Sequence, residues 1–325
     1  MRTRMLMQLA IFFLFVIISY AAVENPFTSS YIENIDKEAL MVSKLQEPLY
    51  EEIKTRAVEF EEPPIDAVVD RVWKAIPGYN GLAVDVDASY EKMKQDGFFD
   101  RSKLVMKQIS PAVHLEDLPP APIYKGNPEK PMVTFLINVA WGNEYLPTML
   151  KVLNEHNIKT TFFLDGSWTK NHPTLAKMIL EEGHEIGNHA YSHPNMKQLT
   201  AARIHEEIDK TNDVIFATLD VTPKWFAPPS GSFRQEVVDI AASLNMKTIL
   251  WSVDTVDWKK PNAEEMVARV LSKVHPGAMI LMHPTEPTAN GLNNLIEGIQ
   301  AKGLQIGTVS QLMEESRLNI GVSPD

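Results

Sequence analysis

The 325-residue chain contains no cysteine. No disulfide framework or thiolate metal site is available to it, and its stability must come from an apolar core. It also lacks an excess of positive charge: 31 Lys and Arg face 42 Asp and Glu, for a net charge of −11. General nucleic-acid binding rests on clustered cationic side chains that neutralise phosphates, and no basic tract supplies them, so no nucleic-acid partner is expected. A glycine-rich phosphate loop is missing after the first strand of the main domain, which removes the usual mark of a nucleotide site. Hydrophobic residues make up 44% of the chain, enough for a sizeable core. The length predicts one large domain plus appended segments.

The longest apolar run lies at the N-terminus. Arg2 and Arg4 precede an apolar stretch from Met5 to Val23, with the small residues Ser19, Ala21 and Ala22 near its end. A basic flank, an apolar centre and small residues read as an export signal. At about 19 residues the run is also long enough to span a bilayer with its basic end inside, so residues 1–23 are a signal peptide or a retained membrane anchor. Export without cysteine fits a bacterial cell envelope, with the protein on the extracytoplasmic face of the membrane or in the cell wall.

Residues 24–59 read as a spacer and a helix. Met41, Leu45, Leu49 and Ile53 recur every fourth position from Leu40 to Phe60, with a kink at Pro48 or two short helices expected. Residues 60–120 read as a small α+β domain: an amphipathic helix over Ile65–Trp73, strands at Leu82–Val86 and Leu104–Met106, and a helix over Ser89–Gln95. Pro119-Pro120-Ala121-Pro122 and Gly126-Asn127-Pro128 mark a linker over 121–130. The main domain spans 131–317, and 318–325 is a tail.

Within 131–317 the texture is a regular alternation. Strand candidates are Met132–Ile137, Thr160–Leu164, His184–Gly187, Trp225–Ala227, Lys247–Val253, Ala278–Met282 and Leu304–Val309. Helical patterns separate or follow them at Leu146–Glu155, Pro173–Glu182, Thr200–Ala217, Gln235–Leu244, Ala263–Lys273, Leu292–Ala301 and Val309–Arg317. Such an alternation predicts a parallel sheet with helices outside, closing into a distorted TIM-like (β/α) barrel, with an open doubly wound sheet as the alternative.

In a barrel of this kind chemistry collects where the strands end. His189 and His193 lie four residues apart after the third strand, a spacing that lets two imidazoles reach one cation, although two histidines alone make a poor site. Asn138 follows the first strand, Pro229-Ser230-Gly231 the fourth, Asp254-Thr255-Val256-Asp257-Trp258 the fifth and His283 the sixth. Each has a plain structural alternative, since Asp254 could cap the next helix and His283 could be a satisfied core imidazole. Their common placement on one rim favours a site.

The ordered set Asn188-His189-Ala190-Tyr191-Ser192-His193, Ala227-Pro228-Pro229-Ser230-Gly231, Asp254-Thr255-Val256-Asp257-Trp258 and Leu281-Met282-His283 resembles the NodB-type polysaccharide deacetylases of carbohydrate esterase family four. The likeness is strongest to the sporulation-linked subgroup of bacilli. It implies removal of N-acetyl groups from peptidoglycan or another N-acetylglucosamine polymer, with one divalent metal, usually zinc. It further implies that His189 and His193 are metal ligands, that Ser230 and Gly231 border the oxyanion, that Asp257 orients His283 as the general acid, and that Trp258 and Leu281 wall the acetyl pocket. Asp254 would be a supporting residue.

The departures from the family pattern lie on the first strand. A family Asp-Asp pair supplies a base and then a metal carboxylate, and the alignment places Asn138 and Val139 there. No acidic residue occurs between Glu129 and Glu144. An amide takes up no proton near neutral pH and a valine ligates no metal, so metal is expected to be weakly held or absent and activity weak or lost. Glu144 and Asp165 are the available substitute ligands. The family's third-motif arginine is missing as well, with Ala227 in its place, as expected where its carboxylate partner is gone, because an unpaired charge in a half-buried site is costly. A binding protein without catalysis is the alternative to a weak deacetylase, with Trp141, Trp168, Tyr191, Trp225, Trp251 and Trp258 as candidate sugar contacts.

Overall fold

The computed structural model describes residues 2–23, 30–31 and 47–318. Most of the spacer expected before Leu40, the start of the helix expected from Leu40, and nearly all of the tail lie outside the described residues. Arg2–Val23 is one helix, and its Thr3–Ala21 stretch is long and apolar enough to cross a membrane. The chain divides into two compact units, one drawn from Met1–Glu61 and Ala83–Lys107, the other from Glu62–Leu82 and Gln108–Ile320.

In the first unit, the helix Pro48–Ala57 begins on Pro48, because proline is well placed in a first helical turn whose N–H has no partner to lose. It packs Leu49, Tyr50 and Ile53 against Tyr90 and Met93 of the helix Val86–Met93. Asp85 caps that second helix by accepting from the Ala88 N–H.

In the second unit, the helix expected over Ile65–Trp73 does not form. Val68–Asp70 (β1) and Lys74–Ile76 (β2) make an antiparallel ribbon instead. The Asp70 carboxylate accepts from the Val72 and Trp73 N–H groups, a side-chain turn that competes with helix, and β-branched Val68 and Val69 favour the extended chain. Gly81–Val84 (β3) and Met106–Ile109 (β4), whose residues are divided between the two units, form a second two-stranded sheet.

The remaining strands are Met132–Val139 (β5), Thr161–Leu164 (β6), Glu185–Asn188 (β7), Trp225–Phe226 (β8), Lys247–Thr248 (β9), Val253–Asp254 (β10), Met279–Met282 (β11) and Gln305–Gly307 (β12). They form one parallel sheet in the order β10-β11-β5-β6-β7-β8-β9, with β12 beside the start of β5. The sheet curls like a barrel, but its ends do not pair. The strand expected over Lys247–Val253 breaks into β9 and β10. Between them Leu250 donates to the Ile123 carbonyl and Ser252 to that of Met279, so a linker residue takes the place of a closing strand. The helix expected from Leu292 begins at Glu286 and runs to Gln300, capped by Thr285 and started by Pro287. The last helix is a short Val309–Met313.

Side chains alternate faces along a strand, and here that period sorts the core. Val133, Phe135, Ile137 and Val139 of β5 join Phe162, Leu164, Ile280 and Met282 against the outer helices. Met132 and Leu136 point the other way, with Phe163, Met279 and Ile249, into the barrel interior. Asn138 shares the parity of Leu136, and Val139 does not.

Candidate functional site

Each strand ends on one rim, and backbone bonds extend the sheet into the loops. Asp165 donates to the Val139 carbonyl at 3.0 Å, His189 to Leu164 at 3.0 Å, Ala227 to Asn188 at 2.9 Å and Thr255 to Leu281 at 3.2 Å. The candidate residues therefore sit on the ends of the ladder rather than on free loops.

His189 is buried, with its Nδ1 at 2.7 Å from the Ala227 carbonyl. Burial, and secondarily the neighbouring His193, pushes its pKa down to about 3. It is thus neutral, Nδ1–H donates to the carbonyl, and Nε2 keeps a free lone pair. The His193 ring lies 5.2 Å away, and burial also lowers its pKa, against the pull of Asp165. The loop between the two rings takes left-handed backbone at Ala190 and His193. It is clamped by the buried carboxylate of Glu207, which accepts from the Tyr191 and Ser192 N–H groups and the Ser192 hydroxyl at 2.9–3.0 Å.

On the opposite side, Asp257 is fully buried and fully engaged. It accepts from His283 Nδ1 at 2.8 Å, from the His283 backbone N–H at 2.6 Å and from the Thr288 hydroxyl at 2.6 Å. Asp254 makes a different bond, accepting from the Val256 N–H at 2.7 Å and so shaping the turn that presents Asp257. Leu281 is buried beside this pair along β11, while Trp258 is exposed, with the Lys259 ammonium 4.9 Å from its ring centre. Ser230 is exposed in left-handed backbone, and Gly231, also at positive φ, leaves no room for a Cβ against Trp251. Trp141, from the loop after β5, stacks on His283 with ring centres 5.2 Å apart and planes 16° apart, and meets His193 edge-on at 6.0 Å.

Asn138 is 4% exposed and its side-chain oxygen has no hydrogen-bond partner. Val139 is fully buried in the helix-facing core. Of the substitute ligands, Asp165 is committed as a helix cap, accepting from the Trp168 N–H and the Ser167 hydroxyl, and Glu144 is exposed. Among the described residues no three His, Cys, Asp or Glu side chains come together to hold a metal ion. Two imidazoles and an amide do not fit a zinc site of the catalytic type, which draws three protein ligands. A cleft of about 1110 Å³ lies at the far end of the sheet, where Trp225 and Lys247 begin their strands, away from all of these groups.

The sequence profile of the polysaccharide deacetylases matches residues 125–249. A solved structure described as a family CE4 pseudoenzyme of Bacillus anthracis is 50% identical, with a TM-score of 0.79, over 85% of this chain and 98% of that one. This chain belongs to the polysaccharide deacetylase family. A mutant of the same pseudoenzyme, described as having restored enzymatic activity, matches at 49% identity and a TM-score of 0.78, over 83% of this chain and 99% of that one. A Bacillus subtilis protein named YlxY is 55% identical over 95% of this chain and 97% of its own length. A Bacillus cereus peptidoglycan-N-acetylglucosamine deacetylase is 34% identical over 54% of this chain and 65% of its own. Polysaccharide deacetylases are in general metal-dependent and act on peptidoglycan or N-acetylglucosamine polymers.

Two supports of the site were not read from the sequence. Glu207 lies inside a long helix, Ala201–Leu219, with nothing in its neighbours to distinguish it. Thr288 could have been found, because Thr285-Glu286-Pro287 is a helix-start pattern that puts Thr288 in the first turn.

Proposed function

We propose that the protein is an exported, membrane-tethered polysaccharide deacetylase homologue that binds an N-acetylglucosamine-containing glycan on its rim and turns it over weakly or not at all. The observation that supports this reading is the contrast on one rim. Asp257 accepts three hydrogen bonds, two of them from His283, while among the described residues no carboxylate completes a three-ligand set with His189 and His193. Asn138 at the base position and Val139 at the carboxylate position carry the loss. Asp257 holds His283 with its Nδ1 proton directed inward, which leaves Nε2 to face a ligand amide or hydroxyl. Ser230 and Gly231, with Leu281 and Trp258, are the proposed substrate contacts, and Asp254 supports their loop. Residues 131–317 form the glycan-facing domain of this proposal, carried behind the 60–120 segment and the N-terminal helix.

The test is zinc content of the purified protein together with acetate release from acetylated chitopentaose. Stoichiometric zinc with turnover would sink the pseudoenzyme reading. Absence of both in the wild type is the expected result, with zinc and acetate release appearing in the Asn138→Asp/Val139→Asp double variant as the metal draws the carboxylate at 139 from the helix-facing core to the rim. A double variant that folds and takes up no zinc means that the first-strand assignment is wrong.

A further inference from the structure

All six tryptophans of the chain are described, and only two are exposed, Trp141 at 43% and Trp258 at 53%. Trp168 and Trp225 are core residues, and each donates its indole N–H to a neighbour, Asn143 and Glu185 respectively. Trp141 sits on a loop held at several points. Gly142 takes φ +82° and packs so closely on the loop after β11 that a Cβ would stand 1.9 Å from the Pro284 carbonyl oxygen. The Gly142 carbonyl accepts from Tyr145 at 3.0 Å, and Asn143 accepts the Trp168 indole N–H at 2.6 Å. The indole therefore has one face covered by the His283 imidazole and an edge against His193, and it remains partly open to solvent.

A large aromatic ring held open on a fixed loop is suited to stacking against a ligand. Its apolar face gains by burial, and little conformational entropy is lost on binding because the loop is already fixed. The ring lies over the His283 imidazole, so a ligand resting on its open part sits at the same rim as that imidazole, with the indole between them. The chain's net charge of −11 disfavours a polyanionic ligand. We infer that Trp141 is a stacking platform for one pyranose ring of a neutral, N-acetylated hexosamine polymer, seated on the open part of the indole opposite His283. This rests on the glycan-binding reading above and adds to it the residue that holds the sugar in place of a metal-centred site.

The experiment is calorimetric titration of the full-length protein, in a detergent without a sugar headgroup, with acetylated chitopentaose. Wild type, Trp141→Ala and Trp141→Phe are compared, and thermal unfolding is recorded for each. The expected result is wild-type binding with quenching of indole fluorescence, a loss of affinity of about tenfold or more in Trp141→Ala, and no more than about a threefold loss in Trp141→Phe. Wild-type binding unchanged in a folded Trp141→Ala would overturn the stacking assignment and leave the glycan reading standing. A phenylalanine variant as weak as the alanine variant would overturn it too, since a ring that stacks should be replaceable by a ring. No wild-type binding up to millimolar chitopentaose would remove both.

Discussion

The two sides of the rim have been treated very differently. On the side of β5, Asn138 keeps a buried oxygen with no partner, Val139 is core, and Ala227 offers only its carbonyl to His189. On the side of β10 and β11, a fully buried carboxylate has three donors, and its imidazole carries a stacked indole. The lesson is that a barrel rim can hold a polar network at one strand end and none at another within the same fold. The strand's period sends alternate residues to the helix-facing core, where an apolar side chain such as Val139 is stabilising. A network like that of Asp257 persists only whole, because each partner removed strands the others in a water-poor setting.

The strongest way to break the contrast is Val139→Asp alone. A carboxylate at this position would be buried among apolar side chains with no partner, so urea unfolding in metal-free buffer should show a loss of about 3–5 kcal/mol. A loss below about 1 kcal/mol would mean that the strand end turns this residue toward the rim. Asp257→Ala should come next, at roughly 3 kcal/mol, since it leaves the Thr288 hydroxyl and two His283 groups unpaired. The same measurement on this variant checks it.

Acid titration compares both sides with a buried imidazole elsewhere in the barrel. His184, under β7, accepts from the Thr160 N–H on Nδ1, while its Nε2 is buried without a partner. Burial, and secondarily Lys159, pushes its pKa down to about 4. The unfolded chain protonates this group near pH 6.5 and the folded protein does not. The unfolded state thus binds more protons between these values, and stability must fall as the pH falls through that window. Roughly 2 kcal/mol from this group should be gone by pH 5, and the loss should shrink in His184→Gln when both are followed by urea midpoints. The smallest effect belongs to Asn138→Leu. Removing an oxygen that already lacks a partner should leave stability unchanged or raise it by up to about 1 kcal/mol in thermal melts.

Much was legible in the sequence because it is local or ordered along the chain. The period of apolar residues marked the strands and helices of 131–317, and the ordered motifs after those strands pointed to the family. The N-terminal run announced a helix able to cross a membrane. The sequence failed where two local preferences competed, as at Ile65–Trp73, where the Asp70 turn overruled a helical spacing.

What only tertiary structure decided are the facts that depend on which face meets which. The register of β5 against β6 and β11 sent Asn138 inward and Val139 to the helices. The approach of the helix Glu286–Gln300 brought Thr288 to Asp257, and the close contact of Gly142 with Pro284 laid Trp141 over His283. Spacing along a chain fixes which residues share an element. Only packing between elements fixes which buried carboxylate finds donors and which indole remains open to solvent.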